Sequence, residues 1–328
     1  MSSLRDQISQ LASYDSSILT KPNKRDSYLF EPSQAAEHDI NSIHLLGISG
    51  LDQLKDIDES FGHFEDKLFS ENVKNLDRTS LNQSQVNDLN TLLNRFLIKL
   101  SPYLMTRYSA KVLEWLIRKF RVNEFNIEAT FLAFLPYHDS TAFAKIVQLL
   151  KISEKTSSNK FSFLLSIKKS KQSLQRAVLV RSMKSDHELL KLVSESLPSA
   201  LEVINEHRPM ASFWSATLID YIKQQSKKIN EGELATLFSC IRATLKVKTS
   251  RDVQYAGRMV LLVLSQSITL GDRVVTSLIT SMFRSLEGKG NLTDAESDHI
   301  LLTMLAVIEN QGIQVASDDV IKRLPVIP

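Results

Sequence analysis

The chain has 328 residues, of which 43% are hydrophobic, and its 40 basic and 37 acidic side chains give a formal net charge of +3. This apolar content excludes wholesale disorder, and 9 glycines and 8 prolines are too few for a turn-rich β-sandwich or barrel. The length exceeds the roughly 100–200 residues of one core, so we expect two domains or an elongated repeat. One cysteine, Cys240, excludes an internal disulfide, and no apolar run reaches the ~20 residues that span a bilayer.

The first part of the chain alternates short helical patterns with polar links. Residues 1–32 hold one short amphipathic helix and a Ser- and Lys-rich link, and residues 32–69 hold two or three short helices. Residues 70–84 are rich in Asn, Ser and Asp, which predicts a surface loop. A long amphipathic helix then begins at Ser84 and stops at Pro102, because proline lacks the donor that a helix needs.

Residues 113–126 (LEWLIRKFRVNEFN) predict an amphipathic helix. Apolar residues at helical spacing form its buried face: Leu113, Leu116, Ile117 and Phe120. The opposite polar face carries Lys111, Glu114, Arg118 and Arg121, with Glu114 and Arg118 spaced as an ion pair on one helix. A second helix, striped by Ile127, Phe131 and Leu135, ends at Pro136, and Asp139 or Ser140 caps a third. Three amphipathic helices joined by tight turns are the unit of a helical array.

The C-terminal half shows a longer period. Residues typical of helix starts recur along it: Asp186, Pro209, Glu231, Asp252, Asp272 and Asp294. Every second one is separated by 45, 43, 41 and 42 residues, which matches the two-helix period of HEAT and armadillo repeats, roughly 40–47 residues. Small Ala256 and Gly257 predict a close approach of a neighbouring helix.

We therefore predict an all-α fold, a HEAT/armadillo-like α-solenoid of antiparallel helix pairs, elongated, right-handed and without a sheet. Residues 1–80 are expected to form an N-terminal helical cap region with polar links, and residues 81–328 the HEAT-like repeats. The last residues, LPVIP, follow a helix without a polar cap, so we expect the repeats to be the start of a longer solenoid.

No residue pattern of a known catalytic centre is present in the sequence. Gly288, Lys289 and Gly290 lack the remainder of a phosphate-binding loop and are typical of a turn between helices. The seven histidines form no HExxH pair, and a single cysteine offers no zinc framework. The adjacent His138 and Asp139 are more typical of turn and cap residues than of a catalytic dyad. We predict no enzymatic activity, no cofactor or metal and no small-molecule substrate.

The mild net positive charge of the chain does not by itself indicate nucleic-acid binding. One segment, however, is much more basic than the rest. No acidic residue lies between Glu154 and Asp186, whereas eight cations do: Lys155, Lys160, Lys168, Lys169, Lys171, Arg176, Arg181 and Lys184. Interleaved apolar residues indicate that the segment is folded. Its cations could hold RNA phosphates or an acidic partner segment, or they could form a solvated helix face.

Several motifs carry a family resemblance. They occur in order over residues 1–150: MSSLRDQISQLAS, SYLFEPSQAAEHD, GLDQLKDIDESF, FEDKLFSE, LDRTS, FLIKLSPYL, LEWLIRKFRVNEFN and LPYHDSTAF. Together they resemble the N-terminal region of the very large HEAT-repeat subunits of the small-subunit processome, the U3 small nucleolar RNA-associated protein 10 family. Beyond residue 152 the likeness is mainly that of HEAT repeats.

The resemblance implies a nucleolar scaffold for pre-18S rRNA processing and small-subunit biogenesis, with links to rDNA transcription. It implies as partners the WD-repeat proteins of the early-binding processome subcomplex and the U3 snoRNP, and possible direct contact with pre-rRNA. It implies a nuclear, nucleolar location and brings no active site. The alternative is a generic HEAT-repeat adaptor or a transport-receptor-like scaffold.

The resemblance also extends to polar positions that helix packing does not dictate. These positions are predicted to dock protein partners: Arg118, Arg121, Asn123, Glu124 and Tyr137. Arginine and tyrosine are among the residues that anchor interfaces most often. The alternative is that the arginines only pair with neighbouring glutamates on a solvated face.

Overall fold

A computed structural model describes residues 25–152, 160–226, 228–284 and 294–312, and these contain no β-strand. Sixteen α-helices follow one another in them: α1 Pro32–Ala35, α2 Ile40–Lys55, α3 Glu65–Leu68, α4 Gln83–Leu100, α5 Arg107–Trp115, α6 Val122–Phe125, α7 Ile127–Phe134, α8 Thr141–Leu149, α9 Leu164–Ser170, α10 Arg176–Ser185, α11 His187–Ala200, α12 Arg208–Gln225, α13 Glu231–Leu245, α14 Arg251–Ser267, α15 Asp272–Arg284 and α16 Asp294–Asn310. The chain divides into two units, one of Met1–Leu93 with Tyr103–Ile127 and one of Asn94–Pro102 with Glu128–Pro328. The predicted division at residue 80, which concerns where the repeats begin, stays a prediction.

In the first unit, α2 packs along α5 at short range. A Cβ atom added to Gly50 of α2 would lie 2.6 Å from the backbone oxygen of Tyr108, and one added to Gly47 would lie 2.7 Å from the Cβ atom of Trp115. Glycine is therefore required at both positions by the close approach of the two helix backbones.

The helix of LEWLIRKFRVNEFN is not continuous, contrary to prediction. After α5 the chain forms a π-helical turn over Leu116–Phe120, and Arg121 adopts the left-handed conformation with φ 52°. A new short helix, α6, begins immediately after Arg121. The predicted apolar face is nevertheless buried throughout: Leu113, Leu116, Ile117 and Phe120 are each at most 2% exposed.

The predicted surface loop over residues 70–84 is more ordered than expected. It contains two 3₁₀ turns, Glu71–Asn75 and Arg78–Ser80, and Val73 is buried. The ammonium group of Lys119 donates to the backbone oxygens of Lys74 (2.7 Å) and Leu76 (2.8 Å). Contacts with a residue distant in the chain thus fix a segment whose composition alone is that of a loop.

In the second unit, α11 to α16 follow the predicted period. Alternate helices begin at His187 and Glu231, Arg208 and Arg251, Glu231 and Asp272, and Arg251 and Asp294, which are 44, 43, 41 and 43 residues apart. Neighbours in sequence such as α13 and α14 pack together, and each helix from α10 to α14 also packs against the helix two positions on. This pattern is that of stacked helix pairs in two layers, as in HEAT-type arrays.

Side-chain caps start these helices where the sequence predicted. Asp186 accepts a hydrogen bond from the backbone N–H of Leu189, and Asn230 forms a reciprocal capping box with Glu233. The predicted close approach at Gly257 is also confirmed, because a Cβ atom there would overlap the side chain of Thr244 on α13.

Candidate protein and RNA interfaces

Glu114 and Arg118, placed on a polar face by the sequence, lie inside the first unit. The side chain of Glu114 is 0% exposed and that of Arg118 is 5% exposed. Oε2 of Glu114 accepts hydrogen bonds from the hydroxyl of Ser27 (2.9 Å) and the backbone N–H groups of Tyr28 (2.6 Å) and Leu29 (3.0 Å). Glu114 therefore anchors a segment that lies more than 80 residues earlier in the chain. The predicted ion pair with Arg118 is present, but its expected place on an exposed polar face was wrong.

The guanidinium group of Arg118 also forms its hydrogen bonds within the first unit. It donates to the backbone oxygens of Ala35 (2.9 Å) and His38 (3.1 Å), and its Nη1 lies 3.6 Å from Oε1 of Glu114. Burial lowers the pKa of Arg118, and the carboxylate of Glu114 opposes that shift. Arg118 holds the end of α1, so its accessible surface for a partner is small.

The polar groups of Asn123 and Tyr137 also form hydrogen bonds within the protein. The amide group of Asn123, which is 2% exposed, donates to the carboxylate of Asp26 at 3.1 Å. The hydroxyl of Tyr137 in the second unit donates to the backbone oxygens of Ser101 (3.0 Å) and Pro102 (3.3 Å), and burial raises its pKa to about 12. Tyr137 as a whole is half-buried, and its hydroxyl is hydrogen-bonded within the unit.

Arg121 and Glu124 are the predicted docking residues that remain accessible, and they pair with each other. Their side chains are 53% and 32% exposed, with an Arg121 Nη2 to Glu124 Oε2 distance of 2.5 Å. The guanidinium group of Arg121 lies 5.0 Å from the ring centre of Phe125, and that of Arg78 lies 4.2 Å from it. Phe125 itself is 46% exposed.

We call these four residues, Arg78, Arg121, Glu124 and Phe125, the Arg121 surface. Phe125 and Arg78 were not predicted as site residues. The signal for Phe125 was its position off the buried face of the predicted helix. No local pattern indicated Arg78, because its partners, the backbone oxygen of Phe120 (2.8 Å) and the side chain of Asn90, are brought to it by the fold.

Some cations of the predicted basic segment already have partners within the protein. Lys160 pairs with Glu128 at 2.6 Å and Arg176 pairs with Asp220 at 2.7 Å, while Lys168 donates to the backbone oxygen of Leu150 at 2.5 Å. Lys169 is exposed near the end of α9. Lys155 lies outside the described residues.

Three further cations of the segment have no partner among the described residues: Lys171, Arg181 and Lys184. Lys171 ends α9 in the left-handed conformation with φ 57°, while Arg181 and Lys184 are one turn apart on α10. These three side chains are the best candidates in this segment for contact with phosphates.

Ser101 and His207 resemble a nucleophile and its base but are arranged as a structural pair. The hydroxyl of Ser101 donates to the backbone oxygen of Ala133 (2.6 Å) and lies 2.8 Å from Nε2 of His207. Because the serine proton is already committed, Nε2 of His207 is the donor in this contact and cannot take that proton. Both residues are at most 2% exposed, and burial lowers the pKa of His207 to about 4.

Within the part of the chain that the structure describes, no group of three His, Cys, Asp or Glu side chains could hold a metal ion. Over the same residues, none of the helices combines the length and hydropathy required to cross a bilayer.

Comparisons with known proteins identify the family. A family model described as "U3 small nucleolar RNA-associated protein 10" matches residues 233–328. A protein of that name from Mycosarcoma maydis is 28% identical over 87% of this chain, and one from Yarrowia lipolytica is 30% identical over 86% of it. "HEAT repeat-containing protein 1" from Homo sapiens is 29% identical over 87% of the chain. The chain belongs to the U3 small nucleolar RNA-associated protein 10 family.

Family membership confirms the resemblance stated from the motifs, and the HEAT-repeat names agree with the helical solenoid. The family model matches a region other than residues 1–150, which carried the motifs, so two separate parts of the chain point to the same family. The names of these relatives describe a small nucleolar RNA-associated protein and a HEAT-repeat protein, not an enzyme. The chain spans 14%, 17% and 14% of the length of the three relatives, in the order in which they are named above.

Proposed function

We propose that this chain is part of a non-enzymatic scaffold of the small-subunit processome. In that role it supports pre-18S rRNA processing, small ribosomal subunit biogenesis and rDNA transcription, in the nucleolus. The observation that carries the proposal is similarity over more than four-fifths of the chain to proteins named as U3 small nucleolar RNA-associated. Stacked helix pairs support it, because such arrays offer long surfaces that hold several partners at fixed spacing.

The proposed partners are the WD-repeat proteins of the early-binding processome subcomplex and the U3 snoRNP. Affinity purification of the full-length protein from its own cells tests this, with bound proteins identified by mass spectrometry and bound RNA by sequencing. Recovery of WD-repeat ribosome-biogenesis proteins together with U3 RNA supports the proposal. Recovery of import cargo and a small GTPase without U3 RNA supports instead the alternative, a transport-receptor-like HEAT adaptor.

Docking of a protein partner is assigned to the Arg121 surface. The proposal rests on the exposed ring of Phe125, which has two guanidinium groups within about 5 Å of its centre. Aromatic and arginine residues together are frequent in interface hot spots. Replacement of Phe125 by Ser removes the ring at an exposed position. We expect loss of co-purified partners with little change in melting temperature.

A matched control replaces the exposed Leu45 of α2, which is 64% exposed and lies outside the Arg121 surface. Leu45→Ser removes a similar apolar area, and retention of all partners is expected. If Phe125→Ser and Leu45→Ser purify the same partners, Phe125 is only a solvated ring. Arg118→Ala is unsuitable for this test, because Arg118 holds the backbone of α1.

Direct contact with pre-rRNA is assigned to Lys171, Arg181 and Lys184. Changing all three to Gln should weaken binding of a labelled single-stranded RNA and flatten its dependence on salt, because each neutralised phosphate releases counterions. Folding should be little affected, since unpaired surface cations contribute little to stability. An unchanged affinity and salt slope would assign these cations to a solvated face.

A further inference from the structure

A groove that the functions above do not use runs between α13 and α15, two helices of the same layer in the second unit. It has a volume of about 740 Å³ and is lined by Ala235, Phe238, Arg242, Lys246, Arg273 and Leu278, among others. On α13 the lining residues recur at helical spacing from Ala235 to Lys246, which corresponds to a length of about 17 Å, or three helical turns.

The floor and the rim of the groove differ in chemistry. Apolar side chains form the floor: Phe238 and Val274 are half-buried and Leu278 is 2% exposed. Three exposed cations form the rim, Arg242, Lys246 and Arg273, and no carboxylate is among the lining residues. None of the three cations has an ion-pair or hydrogen-bond partner for its side chain within the described ranges.

The apolar floor and the cationic rim together indicate which kind of molecule the groove binds. A solvated helix face does not need Phe238 turned toward an open groove, and an RNA backbone does not need an apolar floor. An amphipathic helix with apolar residues on one face and carboxylates beside them satisfies both features, since its apolar side chains cover the floor and its acids pair with the rim. We propose that the α13–α15 groove binds an acidic amphipathic helix of a partner protein.

The test uses a fluorescently labelled helical peptide of about 15 residues, with leucines at positions i, i+4 and i+7 and glutamates on both sides of them. Fluorescence polarisation with the full chain at low salt should give saturable binding with Kd below about 1 mM. Affinity should fall as salt is raised, because exposed charges are screened. A peptide of the same composition with scrambled leucine spacing should bind at least about tenfold more weakly, because it cannot present one apolar face.

Variants assign the binding to the groove. Arg242→Gln, Lys246→Gln and Arg273→Gln together should weaken the peptide about tenfold or more, because the facing carboxylates lose their opposite charges. Three unpaired exposed lysines outside the groove provide a control with the same change in net charge: Lys191→Gln, Lys223→Gln and Lys228→Gln. Ser239→Trp, at an exposed lining position, should block the groove with all three cations intact.

Three results would overturn the proposal. One is absence of saturable peptide binding, and another is equal binding by the ordered and scrambled peptides. The third is weakening by the control triple as large as by the groove triple. A labelled single-stranded RNA is tested separately. If the RNA binds through the rim cations, still binds the Ser239→Trp variant, and the peptide does not bind, the groove is an RNA site and the helix proposal is refuted.

Discussion

Substitution of Glu114 by Gln should destabilise the first unit far more than its place on a predicted polar face implies. The amide keeps the size of the side chain and one acceptor oxygen, so Ser27, Tyr28 and Leu29 retain a partner. Hydrogen bonds to a charged group contribute about 1.5–3 kcal/mol and neutral ones about 0.5–1.5 kcal/mol. The difference over three bonds amounts to about 3 kcal/mol, before any loss from the nearby guanidinium of Arg118.

Two measurements check this value. Urea unfolding should show a lower midpoint with an unchanged slope, which marks a change in stability and not in the surface exposed on unfolding. Amide hydrogen exchange should show reduced protection at Tyr28 and Leu29, whose N–H groups donate to the carboxylate.

Glu124→Gln is the matched control for this substitution. Glu124 is partly exposed and pairs with Arg121 three residues earlier in the chain, so the loss should be at most about 0.5 kcal/mol. If Glu114→Gln and Glu124→Gln cost the same, or if exchange at Tyr28 and Leu29 is unchanged, the reasoning that Glu114 anchors residues 27–29 is refuted.

Two further predictions concern a buried histidine and a helix contact. The pKa of His207 is about 4 when folded and about 6.5 when unfolded, so between these values the unfolded state binds more protons and stability falls as pH falls. From pH 7 to pH 5 the chain should lose about 2 kcal/mol more than the His207→Gln variant, by urea unfolding at each pH, and equal losses would contradict the burial effect. Gly50→Ala should cost about 1–3 kcal/mol because its Cβ atom meets the backbone oxygen of Tyr108. Gly62→Ala, whose Cβ atom has 3.9 Å of clearance, should not destabilise the chain, and equal losses would contradict the close approach.

The regular part of the fold could be predicted because local signals determine it. Helix starts such as His187 and Glu231 were found within one residue, since a capping side chain and the apolar stripe coincide there. Gly257 could be assigned to a helix contact for a similar reason, because a small residue within an apolar stripe lets a neighbouring backbone approach closely. In this half of the chain, contacts join helices that are near in sequence, so pattern and packing agree.

The polar interior of the first unit could not be predicted, because its contacts join distant segments. The spacing of Glu114 and Arg118 is that of a surface ion pair, and nothing within one helix indicates that residues 27–29 and 35–38 cover them. The left-handed conformation of Arg121 had no signal either, since glycine or asparagine is the residue expected there.

The internal hydrogen bonds of the predicted docking residues weaken the argument that these residues bind partners. The docking prediction assumed that Arg118, Asn123 and Tyr137 are polar for a reason outside the chain. Each of them now has an internal reason, because each donates to a defined oxygen of its own unit. Arg121 differs in that its partners, the ring of Phe125 and the carboxylate of Glu124, are themselves partly exposed, and its backbone adopts a strained conformation. Backbone strain of about 1–3 kcal/mol is often found at functional sites such as binding surfaces. Binding experiments should therefore begin at Arg121 and Phe125.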